Sequence, residues 1–170
     1  MSDTNKPRRI LLKISGEALS GDSGYGIDPK VLSETASAIR EVQKQGVQTV
    51  LVIGGGNIFR GAALQKAGFG RVAGDQMGML ATVMNGLAMR EELKRQGGKC
   101  ELMSAYGIPS ISTQYSATQG RELLNQGYSL IVSGGTGAPF FTTDTAAVLR
   151  AIELQCSEVL KATKVDGIYS

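Results

Sequence analysis

The residues best suited to chemistry lie in four short turns, each entered from an apolar run. Lys13, Ser15 and Gly16 close RRILLKIS, and Gly54, Gly55, Gly56 and Arg60 follow VLVI. Ser133 to Asp144, SGGTGAPFFTTD, follows YSLIV, and Thr163 to Asp166 follows the run ending at Ala162. A lysine, an arginine, threonine hydroxyls, carboxylates and many backbone N–H donors are what phosphoryl transfer needs, because that reaction asks for positioning and charge neutralisation with little acid–base work. The chain has 0 histidines and 0 tryptophans. Ser-His-Asp and Cys-His catalysis and histidine metal ligation are therefore excluded.

Three consecutive glycines allow the backbone to turn tightly and to approach a bound group closely. With Asn57 as cap of a following helix, the positive end of the helix dipole would add to the same place, and Arg60 offers a guanidinium suited to phosphate. A bare strand-to-helix turn accounts for these glycines equally well. Lys13 stands at the carboxyl end of its strand, where open α/β sheets bind ligands, although a lysine there can also simply reach water. Asp75 has two readings: N-cap of the helix it precedes, or acceptor for sugar hydroxyls. Two familiar phosphate motifs fail. Gly56 and Gly61 have Walker spacing, but Ala62 and Ala63 replace the Lys and Ser/Thr; in the dinucleotide fingerprint Phe59 replaces the third glycine.

The elements that must position these turns alternate along the chain. Strands are predicted over 8–15, 47–53, 99–103, 128–132 and 158–162. Residues 16–27 contain four glycines and read as a mobile loop. Asp28 and Pro29 start a helix that Gly46 ends. A short helix fits 57–66, and Asp75 opens the longest helical pattern, to about Gln96, whose Met77, Met79, Met84 and Met89 read mainly as core, with part of the stripe able to meet another subunit. A loop with a short extended piece covers 104–113, broken by Pro109. Ser116 and Gln119 form a capping box for a helix ending near Gly127, and Thr142, Thr143 and Asp144 cap the helix through Leu154. Strands alternating with helices imply a three-layer αβα sandwich around a mostly parallel sheet, in which the carboxyl ends of the strands share one edge.

At 170 residues, with 42% hydrophobic content, the chain is expected to be a single domain, 1–170, with a sizeable core. Its net charge of +3 comes from dispersed Lys and Arg, which points to solubility and requires no nucleic acid. Cys100 and Cys156 lack metal-ligand spacing and read as buried or half-buried thiols of a reducing compartment. No stretch has the length of a signal or membrane segment, so a cytoplasmic protein is expected.

Five collinear segments carry a resemblance: LLKISGEAL (11–19), VIGGGNIFRG (52–61), GDQMGMLATVMNGLAMR (74–90), GTGAPFFTTDTAA (135–147) and LKATKVDGIY (160–169). Together they closely resemble the bacterial uridylate kinases, a branch of the amino-acid-kinase fold family. The resemblance implies transfer of the γ-phosphoryl group of MgATP to UMP, giving UDP, in pyrimidine nucleotide synthesis. It implies that Lys13, Arg60 and Asp144 are catalytic, with Asp144 organising Mg2+ and phosphates without a dedicated protein metal site. UMP would meet Gly55, Gly56, Arg60, Asp75, Thr136, Gly137, Ala138, Pro139, Phe140, Phe141, Thr142 and Thr143. ATP would meet Lys13, Ile14, Ser15, Gly16, Gly56, Arg60, Thr163 and Tyr169. The loop Gly21, Asp22, Ser23, Gly24, Tyr25 and Gly26 matches the region tied to GTP activation; UTP inhibition and a hexamer are implied in the same way.

Two departures stand out. Ala138 occupies a place where asparagine is frequent in the family, removing that side-chain contact. Such kinases also continue beyond KVDGIYS into a segment that completes the ATP site, so a C-terminal portion is expected to be missing, UMP to be bound better than ATP, and turnover to be reduced or lost. The rival readings are a kinase of the same fold acting on a carboxylate or carbamate, and a non-catalytic uridine-nucleotide sensor.

Overall fold

In a computed structural model of the chain, residues 7–61, 66 and 68–162 are described. They comprise β1 (Arg9–Ile14), α1 (Pro29–Lys44), β2 (Gln48–Ile53), α2 (Arg71–Arg95), β3 (Cys100–Ser104), β4 (Thr113–Gln114), α3 (Ala117–Asn125), β5 (Ser129–Ser133), α4 (Thr143–Glu153) and β6 (Glu158–Ala162). The strands form one 6-stranded sheet in the order β4-β3-β5-β2-β1-β6. Every strand pairing is parallel. Among the described residues no helix is long and apolar enough to cross a membrane.

Side chains alternate across the sheet, so each strand feeds two cores. Leu51 and Ile53 of β2 join Ile14, Leu102 and Ile131 under α1 and α2, where Ala36, Ile39, Val83, Met89 and Leu93 meet them. Val50 and Val52 point the other way and join Leu11, Met103, Leu130 and Val132 under α3 and α4, against Leu124, Ala147 and Ala151. Coverage on both faces is why the central strands read as unbroken apolar runs. The expected αβα sandwich is the observed one.

Local signals act where they were read. Asp28 caps α1, its Oδ1 accepting from the amides of Lys30 (2.8 Å) and Val31 (3.1 Å), and Pro29 takes the first helical position. Gly46 lies just past the helix at φ 81°. Ser116 caps α3 by accepting from the Gln119 amide. The methionines divide: Met79 and Met89 are core, whereas Met77 and Met84 are exposed on the outer side of α2.

Three expectations are corrected. The glycine-rich stretch after β1 is folded into two 3-10 turns, Gly16–Leu19 and Gly21–Ser23, because Leu19 is drawn into the core and Ser15 caps the first turn. Asn57 caps no helix; its side chain is buried in a polar pair. Asp75 is no N-cap either, since α2 begins four residues earlier with Gly70 in the cap position. The short extended piece expected within 104–113 lies at its end, as a two-residue strand, Thr113–Gln114, beside β3. Most of the helix expected over 57–66 lies outside the described residues.

Candidate active site

β2 and β5 are neighbours in the sheet, but the chain leaves β2 for α2 on one face and leaves β5 for α4 on the other. A crevice must open where two adjacent parallel strands send their connections to opposite faces. It is a cleft of about 240 Å3, lined from the β2 side by Gly55, Gly56 and Phe59, from α2 by Asp75, Gly78 and Met79, and from the β5–α4 loop by Gly135, Thr136, Ala138, Phe141, Thr142 and Thr143.

The two glycine turns are needed for different reasons. Gly134, Gly135 and Gly137 lie in the left-handed region, at φ 77°, 60° and 83°. That conformation costs other residues roughly 1 kcal/mol or more each. Gly54, Gly55 and Gly56 are not left-handed; there the requirement is space. A Cβ on Gly55 would stand 2.8 Å from the Ala81 Cβ and from the Gly78 carbonyl, so this glycine lets α2 close onto the turn. A Cβ on Gly16 would stand 2.7 Å from the Gly56 nitrogen, and any side chain there would cover that amide.

A buried polar pair, Asn57 and Asn85, holds α2 against the sheet edge, a role that reading the sequence did not assign. Asn85 Nδ2 donates to the Gly54 carbonyl and to Asn57 Oδ1, both at 2.7 Å, and Asn57 Nδ2 donates back to Asn85 Oδ1 (3.1 Å) and to the Gly26 carbonyl (2.7 Å). Thr82, nearly a turn before Asn85, accepts the Gly134 amide at 2.8 Å. The available signal was Thr82 and Asn85, two polar residues on the otherwise apolar buried side of α2.

Asp75 faces the cleft. Its Oδ2 accepts the Phe140 amide at 2.7 Å and lies 3.4 Å from Arg71 Nε. Phe140 itself adopts φ 73°, an unfavourable conformation for a side-chain-bearing residue, and its ring lies under the Arg71 guanidinium at 5.3 Å. Phe140 and Phe141 are both exposed beside the cleft. Thr142 caps α4 by accepting the Thr145 amide, so the positive end of that helix opens at the cleft.

Beside the cleft stands a charged cluster. Lys13 Nζ lies 2.9 Å from Asp144 Oδ1, and Lys161 Nζ lies 2.8 Å from Asp144 Oδ2. Lys13 and Lys161 are register partners on adjacent strands, so both project to the α4 side, where Asp144 occupies the first helical turn. Lys161 was not singled out in the sequence, although the lysines of RILLKI and EVLKA each stand next to the last residue of a strand. The Lys13 side chain is 12% exposed and that of Asp144 53%.

Hydrogen bonds from Lys161 first, and then from Lys13, hold the Asp144 carboxyl below the usual aspartate range. A carboxyl that releases its proton more readily in the folded state stabilises that state fully above the unfolded value, and the contribution fades as pH falls through the lowered one. The melting temperature of wild type relative to Asp144→Asn is thus expected to be flat from neutrality down to about pH 5 and to shrink below about pH 4. A gap that widens on acidification would contradict this. The cysteines offer no thiolate at neutral pH, burial pushing Cys100 up to about 12 and Cys156 up to about 11.

Arg60 does not line the cleft. Its Nε donates to the Gly56 carbonyl at 3.1 Å and its guanidinium stands 3.7 Å from Glu17. Gly137, Pro139 and Phe140 belong to the cleft loop without lining the cleft. Ile14 and Gly16 are buried, and the Ser15 hydroxyl accepts the Ala18 amide. Gly21, Gly24 and Gly26 all have positive φ, Asp22 and Ser23 form the second 3-10 turn, and Tyr25 is exposed. Thr163 and Tyr169 lie outside the described residues.

A uridylate kinase of Colwellia psychrerythraea is 58% identical over 172 aligned residues, covering 100% of this chain and 70% of that protein. One of Aeromonas salmonicida is 56% identical with the same coverage, 100% and 70%. Among solved structures, a UMP kinase from Bacillus anthracis superposes with a TM-score of 0.90 at 36% identity, over 96% of this chain and 68% of that one. A UMP kinase from Ureaplasma parvum also reaches 0.90, at 33% identity, over 96% and 70%. With the model of the Amino acid kinase family matching residues 8–170, on the fold and cleft described above, the chain belongs to the amino acid kinase family.

Proposed function

We propose that the chain is a nucleoside monophosphate kinase of one amino-acid-kinase-like domain, transferring the γ-phosphoryl group of MgATP to UMP to give UDP. The observation that carries this reading is the junction at the start of α4: Thr143 lines the cleft, and Asp144, the next residue, pairs with Lys13 and Lys161. An acceptor in the cleft would thus have its phosphate beside a cationic cluster and a helix N-terminus, where developing negative charge is best tolerated. The uridylate kinase relatives at 55–58% identity support the choice of UMP.

In this reading Asp75 takes the ribose hydroxyls, exchanging its bond to the Phe140 amide for bonds to the sugar. Thr136, Ala138, Phe141, Thr142 and Thr143 wall in the base and phosphate, with Gly55 and Gly56 opposite, while Gly137, Pro139 and Phe140 are assigned to UMP as members of the same loop. Arg60 turns from Glu17 towards the UMP phosphate. Lys13, Ile14, Ser15, Gly16, Gly56 and Arg60 meet ATP, with Thr163 and Tyr169 assigned to the same nucleotide. Lys13 neutralises the transferring group, and Asp144 keeps Lys13 aligned before the phosphates arrive.

Among the described residues no group of three or more potential metal ligands gathers. Mg2+ is assigned to the ATP phosphates, and Asp144, a hard oxygen donor beside Lys13, is the carboxylate that would meet it. That ion supplies charge neutralisation when bound.

Cytoplasmic location, GTP and UTP as effectors, and a hexamer belong to the same proposal. The loop Gly21–Gly26 is tied to the β2 turn through Asn57, whose carbonyl accepts the Gly26 amide at 2.8 Å, which supports communication between an effector and the site. Exposed Met77, Leu80 and Met84 on α2 support a subunit contact.

A coupled UDP-formation assay with MgATP, using UMP, CMP and N-acetylglutamate as acceptors, tests the activity. Calorimetric titration with UMP tests the cleft: Asp75→Ala is expected to weaken UMP binding at least about 10-fold through loss of charge-assisted bonds. Phosphorylation of the carboxylate acceptor in preference to UMP would overturn the reading, as would UMP binding indifferent to Asp75.

A further inference from the structure

Arg150 lies in the third turn of α4, facing inward, and is only 6% exposed. Its Nη1 pairs with Glu153 Oε2 at 2.8 Å, and its Nη2 donates to the Gly135 carbonyl at 3.1 Å. The guanidinium lies over the Tyr115 ring, 4.0 Å from its centroid, and the Tyr115 hydroxyl donates to the same Glu153 oxygen at 2.8 Å. Its Nε is buried without a partner among the described residues.

Burying a guanidinium is costly, and a buried ion pair is by itself a poor device for stability. An i,i+3 pair with Glu153 needs no burial, because the same pair forms on helix surfaces. What the inward position adds is the bond to Gly135. That carbonyl belongs to the stretch Gly134–Gly137, outside helix and strand and with its three glycines left-handed, which contributes to one wall of the cleft. The run is held at two other points, by the Gly134 amide on Thr82 and by the Tyr106 hydroxyl on the Gly137 carbonyl at 2.6 Å. Arg150 supplies the third, between them.

We propose that Arg150 is a positioning residue for the nucleotide cleft, setting the Thr136 wall through the Gly135 carbonyl while Glu153 and Tyr115 keep its guanidinium in register. The cleft's occupant is taken from the kinase reading above; the fixing of the loop stands apart from it. The device is specific to a fork: a lysine can pair with Glu153 or reach Gly135, but has no second planar donor with which to do both.

The test is Arg150→Lys in the full chain, with Tyr115→Phe as the comparison, read by amide hydrogen exchange and by UMP titration. In R150K the amides of Gly135 to Ala138 should exchange at least about 10-fold faster while those of Ala146 to Ala151 keep their protection, since only the loop has lost an anchor. UMP affinity should fall about 10-fold, and in the assay KM for UMP should rise with kcat changed less than about threefold. Y115F, which keeps the Arg150–Gly135 bond, should leave loop exchange within about twofold. Arg150→Met, which loses the bonds to both Glu153 and Gly135, should loosen the same loop amides at least as much as R150K; if it fails to fold, R150K decides alone. Unchanged loop exchange in R150K, or loop and α4 amides accelerating together, would overturn the proposal. Loosened loop amides in a chain whose wild type binds no UMP would instead sink the nucleotide reading and leave the positioning role standing.

Discussion

Exchanging Lys13 for methionine is expected to lower kcat for UDP formation at least about 1000-fold relative to the unchanged chain, with the UMP dissociation constant held within about threefold. Methionine nearly matches lysine in length, so packing at this largely buried position changes little. What is lost is a positive charge whose attraction to the phosphoryl group grows as the bond breaks, and that kind of interaction appears in kcat rather than in ground-state binding. The cleft residues do not include Lys13, which is why UMP affinity should survive. A second signature is spectroscopic: with Lys13 gone, Asp144 keeps only Lys161, and its carboxyl should titrate higher by NMR. Lys13→Arg should recover little, because a planar fork replaces a compact ammonium in a site shaped for the latter. An equal loss in UMP binding and turnover would show that Lys13 acts on the acceptor site and that the assigned role is wrong.

The second large effect concerns the fold of the site. Asn85→Leu should destabilise the chain by about 3 kcal/mol and lower its melting temperature by roughly 6–12 °C. Asn85 is fully buried, and its carboxamide satisfies the Gly54 carbonyl and both polar ends of Asn57. Leucine fills the volume but strands those groups, and an unpaired buried polar group costs more than its hydrogen bond contributed. Asn57 and Asn85 serve one another, so the Asn57→Leu/Asn85→Leu pair should cost less than the sum of the single changes by at least about 1 kcal/mol. Denaturant unfolding of the four proteins measures this, and strict additivity would mean that the two amides are energetically independent. Because Gly55 and Gly56, which follow Gly54 in the same turn, line the cleft, weakened UMP binding should accompany the loss of stability.

Local chemistry in the sequence determined a good deal about this protein. Unbroken apolar runs alternating with amphipathic stretches imply a parallel sheet covered on both faces, since only burial on both sides allows strands such as QTVLVI. Asp28 with Pro29, Ser116, and Thr142 start helices because their side chains serve backbone amides within three residues, an interaction that needs no distant partner. The gathering of Lys13, Gly56 and Thr143 along one edge also follows from local reading, because carboxyl ends of parallel strands must share an edge.

Other features depended on strand order and on packing between elements distant in sequence. That β5 lies between β2 and β3 decides which two turns form the cleft, and nothing within either turn states it. Asn57 has the composition and place of a helix cap, yet it is claimed by Asn85, 28 positions away; Asp75 likewise serves Phe140, 65 positions on. Lys161 becomes Lys13's neighbour only through register. Gly54 to Gly56 have the look of a phosphate cradle, but the space they leave is taken first by the approach of α2 and of the Gly16 turn. In each case a side chain or a missing side chain had several partners of similar chemistry within reach, and local energies differ too little to choose between them. The packed cores choose, because fixing the elements in three layers brings some of those partners within bonding distance and removes the rest.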